Sequence, residues 1–218
     1  MDALVIRLTL PGIRQTYQDW LDRAAREDLS PADFLQARLQ EEVAVREDRH
    51  LKRRTRQATV PFMGTIEPFA FTFRPALNRQ VVLRDLAPGF LQSATTLVFI
   101  GAPGLGKTHV SVALCVTMLQ VGATVRCVSA HSLATRVLRW RDVDTRQRLL
   151  TPLLSADLFV LDERGDLPTD PRLGPVLYER IAGRYEHKPT IMTTNKSLSE
   201  WGGIFQDPSL AAALIDRL

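Results

Sequence analysis

The sequence predicts an α/β protein in which a parallel sheet is flanked by helices and preceded by a small all-helical segment. Three observations predict it. Four short apolar runs, Leu97 to Ile100, Thr124 to Val128, Leu158 to Leu161 and Thr190 to Thr193, read as strands separated by stretches of helical pattern. Such alternation builds parallel strands covered on both faces. A glycine-rich run, Gly101 to Thr108, follows directly on the first strand. Residues 1 to about 58, by contrast, carry apolar positions at helical spacing only.

The chain has 218 residues, enough for one α/β core and a small appendage. Its 45% hydrophobic and 24% charged residues are those of an ordinary soluble protein. No apolar stretch approaches the roughly 20 residues that cross a bilayer, and no basic segment with an apolar run and cleavage site opens the chain, so a cytoplasmic location is expected. The only cysteines, Cys115 and Cys127, lack a second pair or a nearby histidine at ligand spacing and read as buried structural thiols. A net charge of +4 leans towards acidic partners without naming one.

In the helical segment, Ile13, Tyr17, Trp20, Leu21 and Ala24 fall on one face, which is expected to be buried. A second helix is expected to start at Ser30, with Pro31 in its first turn, Asp33 at the capping-box position and Leu29 and Phe34 as a hydrophobic staple. It continues through Leu35, Leu39 and Val43 into a basic stretch. There Arg46, Arg49, Arg53 and Arg56 share a face, with Lys52 and Arg54 nearby. Charge alone leaves this stretch as either a solvated face or a site for an acidic partner. From Pro61 to Pro88 the chain reads as a connector in which Phe69, Phe71 and Phe73 alternate.

The run Gly101-Ala102-Pro103-Gly104-Leu105-Gly106-Lys107-Thr108 has the spacing of a P-loop. Its glycines let backbone N–H groups surround phosphate oxygens at the positive end of a helix. Lys107 is then the candidate for the β and γ phosphates of ATP, and Thr108 for a Mg²⁺ ion. Downstream, Leu158 to Leu161 deliver Asp162 and Glu163 to a strand end, the first suited to hold magnesium and the second to polarise an attacking water. The fourth strand ends at Asn195, which can orient water or contact the γ phosphate, and Arg217 can neutralise a transition-state phosphoryl group.

With these residues in hand, the sequence resembles the AAA+ ATPases of the IstB and DnaC type, and most of all the IstB-like transposition helpers. The resemblance rests on Leu10-Pro-Gly12, Phe69 to Phe73, Gly101 to His109, Leu161 to Glu163 with Leu167-Pro168, Arg184 to Glu186, Thr193 to Asn195, Glu200-Trp-Gly202 and Leu210 to Leu218. It implies a helical N-terminal DNA- or partner-binding domain over 1–60, a connector over 61–88 and an AAA+ ATPase domain over 89–218. Gly101 to His109 would bind ATP and Thr108 and Asp162 the metal. Lys107, Asp162, Glu163 and the sensor Asn195 would be catalytic, with Arg217 reaching a neighbouring subunit. Arg49, Lys52, Arg53, Arg54 and Arg56 would meet the phosphates of double-stranded DNA with little sequence preference.

The implied function is an ATP-dependent homo-oligomer that assembles on target duplex DNA and presents it to a transposase, hydrolysis acting as the switch. A loader of a replicative helicase and a nucleotide- or DNA-binding remnant without turnover are the alternatives. Two departures from the family pattern bear on this. Arg164 and Asp166 stand beside Glu163 where relatives are apolar or aromatic. Relatives also continue into a further strand after the segment that ends here at Leu218, so the ATPase domain is expected to be shortened.

Overall fold

The computed structural model describes residues 2–66, 79–85, 87–140, 142–163, 172–205 and 207–218. Phe69, Phe71 and Phe73, the Leu167-Pro168 pair, and Arg164 and Asp166 lie outside the described residues. Three helices come first: α1 (Asp2–Arg7), α2 (Pro11–Glu27) and α3 (Pro31–Ala58). After α4 (Arg79–Asp85) the order is β1 (Thr96–Ile100), α5 (Lys107–Gln120), β2 (Val125–Ser129), α6 (Ala130–Leu138), α7 (Val143–Ser155), β3 (Leu158–Asp162), α8 (Leu173–Ala182), β4 (Thr190–Thr194), α9 (Trp201–Phe205) and α10 (Pro208–Ile215). Two compact units are present, Met1–Arg53 and Arg54–Leu218, and the boundary falls inside α3.

The four strands coincide with the four apolar runs to within a residue and pair in parallel in the order β1-β4-β3-β2. Every residue of β3 and β4 is buried, which is why these runs are continuous rather than alternating. Against them pack Leu133 and Val137 of α6, Leu150 and Leu153 of α7, and Leu177 and Ile181 of α8. Helix α5 buries nine residues around its circumference, among them Cys115, whose thiol is pushed up by contact with Cys127 and by burial. Both cysteines are buried thiols that form no disulfide among the described residues.

The start of β3 and β4 is fixed by a buried arginine. The Arg184 guanidinium donates to the carbonyls of Leu153 (3.1 Å), Leu154 (3.1 Å) and Ala156 (2.7 Å) at the end of α7, to those of Asp157 (3.3 Å) and Pro189 (2.6 Å), and to Thr190 Oγ1 (3.1 Å). The last carbonyls of a helix have no intrahelical partner, and a planar cation with five N–H groups serves several at once. Burial pushes its pKa down to about 10, partly opposed by the Asp157 charge, so it is cationic at neutral pH.

The first unit is built differently. Helix α3 starts at Pro31; Ser30 Oγ accepts the Asp33 N–H at 3.2 Å and donates to Asp33 Oδ2 at 2.6 Å, so the Asp33 carboxylate meets the cap hydroxyl rather than the cap N–H. Helices α2 and α3 meet through polar groups. Trp20 Nε1 donates to Glu41 Oε2 at 2.8 Å, Arg38 binds Thr16 Oγ1 at 2.7 Å as well as Glu41, and the Arg23 and Arg38 guanidinium groups lie over the Trp20 ring. Glu42 Oε2 accepts the N–H groups of Gly12 (2.8 Å) and Ile13 (3.1 Å), and its other oxygen accepts from Arg46 Nε at 3.0 Å. It therefore caps α2 from the neighbouring helix, and a Cβ on Gly12 would stand 3.0 Å from Glu42 Oε2 and 3.1 Å from Val45 Cγ2. The Leu10-Pro-Gly12 opening is explained by this close approach.

The expected apolar packing of these helices is thus corrected. Ile13, Tyr17, Trp20 and Ala24 are only half-buried and Leu21 is exposed. On the part of α3 within the first unit the buried positions are Arg38 and Glu42, each 3% exposed, whereas Leu35, Leu39 and Val43 are 50–57% exposed.

Two measurements test these readings. Burial alone would raise the Glu42 carboxyl, but the Ile13 N–H, the Arg46 guanidinium and the Gly12 N–H together hold it below its ordinary range. A carboxyl depressed in the folded state contributes stability above the unfolded-state range and loses it as pH falls through the folded value. Glu42→Gln is expected to cost the first unit about 1–3 kcal/mol near neutral pH and to flatten its loss of stability below about pH 5. Amide hydrogen exchange in α2 across pH reads both, and an unchanged acid profile would refute the cap. Arg184→Met leaves buried carbonyls unpaired and is expected to destabilise the second unit by at least about 3 kcal/mol in urea unfolding.

Candidate functional site

The site forms where three parallel strands end side by side. Register places Thr193 of β4 between Phe99 of β1 and Asp162 of β3, so the chain leaving β1 passes next to the carboxylate leaving β3. Beyond β1 the loop bends through left-handed backbone at Gly104 (φ 81°) and Gly106 (φ 88°), conformations that favour glycine. Gly106 then starts α5 with no side-chain cap. The first-turn N–H groups and the positive end of the helix dipole are thus left at the loop, the arrangement that receives phosphate.

Lys107 Nζ donates to the Gly101 and Ala102 carbonyls and, at 2.7 Å, to Asn195 Oδ1. Its pKa is lowered by burial, with the Glu163 and Asp162 charges acting the other way. Thr108 Oγ1 donates to Asp162 Oδ1 at 2.8 Å, and Thr193 Oγ1 donates to the same oxygen. Thr193 Oγ1 also accepts the Glu163 N–H at 3.1 Å, and Asn195 N–H donates to Glu163 Oε2 at 2.9 Å. Lys107, Thr108, Asp162, Glu163 and Asn195 are therefore one connected group. Thr108 and Asp162 present oxygen donors to one point, a set that suits a hard cation such as Mg²⁺ completed by phosphate and water. Among the described residues no cluster of three or more acidic, histidine or cysteine side chains offers a metal site independent of a ligand.

His109 is seated differently from the rest of the loop. Its Nε2 lies 2.9 Å from the Thr65 carbonyl and its ring 5.9 Å from that of Phe62, which ties the segment after α3 to the first turn of α5. Among the described residues Arg217 is not hydrogen-bonded to the connected group: it donates to the Ala213 carbonyl at 2.7 Å and lies over the Tyr178 ring. Among the cations expected to meet DNA, Arg49, Lys52, Arg53 and Arg56 are exposed. Arg54 differs, being half-buried with its Nε enclosed and, among the described residues, without a hydrogen-bond partner. Five residues beyond Arg49 is more than a quarter turn off the basic face.

Residues 3–218 match the family described as IstB-like ATP binding protein. The chain belongs to that family. It is 32% identical over its full length to an IS21 insertion-sequence ATP-binding protein of Pseudomonas aeruginosa, covering 82% of that protein. It is 30% identical to an IS5376 counterpart of Geobacillus stearothermophilus, over 97% of this chain and 84% of the other. Among solved structures, the DnaC helicase loader is similar over 76% of this chain and 96% of its own (TM-score 0.55, 21% identity). AMPPCP-bound DnaA of Aquifex aeolicus is similar over 73% and 50% (TM-score 0.62, 21% identity). The fold is that of a P-loop AAA+ domain with a parallel sheet flanked by helices, preceded by helices. Among the described residues no helix is long and apolar enough to cross a membrane.

From the sequence Thr193 reads only as part of a strand end, although its hydroxyl serves both the Asp162 carboxylate and the Glu163 N–H; parallel registration of two strand ends is the signal that finds it. The His109 contact had no sequence signal. Thr193→Val keeps the shape but removes the hydroxyl from Asp162 and from the Glu163 N–H. It is expected to cost about 1–3 kcal/mol of the second unit's stability in urea unfolding, and no measurable cost would show that Asp162 is satisfied without it.

Proposed function

We propose that this chain is an ATP-dependent, DNA-binding helper of insertion-sequence transposition, in which ATP binding assembles subunits on duplex DNA and hydrolysis releases them. The observation that carries the reading is the connected group Lys107, Thr108, Asp162, Glu163 and Asn195 at the strand ends, in a chain of this family. Residues 101–109 hold ATP, with Lys107 exchanging its carbonyl partners for phosphate oxygens. Thr108 and Asp162 hold Mg²⁺, which when bound neutralises phosphate charge. Glu163 accepts the proton of the attacking water, and Asn195 holds it through its N–H while its side-chain oxygen holds Lys107. One amide-bearing residue thus reports phosphate binding at Lys107 to the base at Glu163.

Arg217, which donates to the Ala213 carbonyl of α10 and lies over the Tyr178 ring of α8, is the charge offered to a neighbouring copy. The exposed Arg49, Lys52, Arg53 and Arg56 neutralise DNA phosphates without reading bases, and a transposase receives the bound target. A homo-oligomer in the cytoplasm is the setting for these events.

The test is binding of the purified chain to a labelled random-sequence duplex with ATP, with ADP and without nucleotide, across a salt series. Binding is expected to tighten with ATP and weaken steeply with salt. Glu163→Gln is expected to keep ATP and duplex binding while turnover falls by about 100-fold or more. Duplex binding that ignores both ATP and Ala replacement of Arg49, Lys52, Arg53 and Arg56 would sink the proposal.

A further inference from the structure

Where α2 begins, the first unit holds a cavity of about 460 Å³ whose walls include Arg14 of α2 and Arg46, Arg49 and His50 of α3, over an apolar floor that includes Ile6 and Pro11. Among the described residues no carboxylate lines it. Arg46 is already fixed there, by Glu42 Oε1 at 3.0 Å and by the Thr9 carbonyl at 2.9 Å, so one of the cations is held in place and partly neutralised from behind. The side chains of Arg14 and Arg49 have no hydrogen bond or ion pair among the described residues. The His50 ring has its one hydrogen-bonding contact among the described residues with another basic side chain, Arg53, with Nδ1 3.3 Å from the guanidinium. Elsewhere on the same two helices, Arg23 is neutralised by Glu27 and Lys52 by Asp48. The cavity is thus a place where three guanidinium groups converge and two of them, Arg14 and Arg49, have no counter-charge among the described residues.

We infer that this cavity is a seat for a phosphate of the nucleic-acid backbone, with Arg14 and Arg49 as its direct contacts and Arg46 as the fixed third cation. The inference rests on the DNA-binding reading above and adds Arg14, from a different helix, to the contacts that the basic stretch of α3 supplies. The free N–H groups of the α2 N-terminus do not make the seat, because Glu42 takes those of Gly12 and Ile13. Side-chain guanidinium groups do, and their forked donors match phosphate oxygens in pairs. The apolar floor of Ile6 and Pro11 suits the sugar that flanks a phosphodiester and has no use for a bare hydrated anion. Fixing one phosphate between two helices also sets how the duplex runs relative to α3, something a row of cations on one helix cannot do alone.

The test compares wild type, Arg14→Ala, Arg14→Lys and Arg26→Ala for binding to the random-sequence duplex across salt, and titrates wild type with inorganic phosphate alone. Arg26 lies near the far end of α2, is exposed and donates only to the Asp22 carbonyl, so its loss changes net charge equally without touching the cavity. Arg14→Ala is expected to weaken duplex binding about tenfold and to lower the slope of log affinity against log salt by about one. Arg14→Lys should retain the slope, and Arg26→Ala should stay within about twofold of wild type. If Arg14→Ala matches wild type or merely matches Arg26→Ala while wild type binds duplex, the seat is overturned and the broader function stands. Inorganic phosphate binding as tightly as duplex would overturn it in favour of a free-anion site. Failure of wild type to bind duplex under any condition would remove both readings together.

Discussion

The second unit is organised around one buried carboxylate. Asp162 is 3% exposed at the end of β3 and is held by two threonine hydroxyls on the same oxygen, one from α5 and one from β4. A carboxylate taken out of water is costly unless such partners are in place, and each hydroxyl is in place only if its own element is positioned. Thr193 meets Asp162 only in the observed β3 to β4 register. Thr108 meets it only if α5 begins at Lys107, which in turn requires the left-handed turn at Gly106. Loop, helix start and strand register are therefore conditions of one another, and the residues suited to ATP and metal are the ones that satisfy them.

A complementary constraint acts at the other end of the same strands. There Arg184 gathers the carbonyls that close α7 and those that open β3 and β4. The two ends are mirror cases in charge: a buried anion held by hydroxyls where the strands finish, and a buried cation held by carbonyls where they start. In the contacts described, hydroxyls hold the anion and carbonyls, with one threonine hydroxyl, hold the cation. Together they prevent β3 and β4 from sliding, since a one-residue slip would leave both charges without partners. The positional accuracy of Glu163 and Asn195, one residue beyond β3 and β4, follows from that.

Much of this was legible in the sequence because it is local. Four short runs rich in apolar and β-branched residues marked the strands, since parallel strands under helices lack a polar, solvent-facing alternation, and the glycine-rich run announced the phosphate loop by spacing alone. The partners of Asp162 were not legible, because a threonine at a strand end carries no mark of its neighbour until strand order is known. The seat of His109 on the Thr65 carbonyl was hidden for the same reason: backbone acceptors have no sequence. Arg184 and Arg217 looked alike as arginines near motif positions, and only burial separates the first, a structural cation, from the second, which lies on an aromatic ring.

The first unit shows where periodicity misleads. Helical spacing of apolar residues established α2 and α3 but not the face by which they meet, because the contact is made by Arg38, Glu41, Glu42, Thr16 and Trp20 instead. The side of α3 that carries Glu42 continues through Arg46, Arg49, Arg53 and Arg56 at spacings of four, three, four and three. Helix α2 starts at Pro11, with Gly12 pressed against Glu42 and Val45, so beyond that point α3 no longer has α2 to meet. Position 42 is acidic because it must cap the N–H groups of α2; the later positions on that side face no helix start and can carry positive charge without a burial cost. The basic face is therefore the packing face of α3 continued past the end of its partner, and Arg14 adds to it because it stands in the first turn of the helix that ends there.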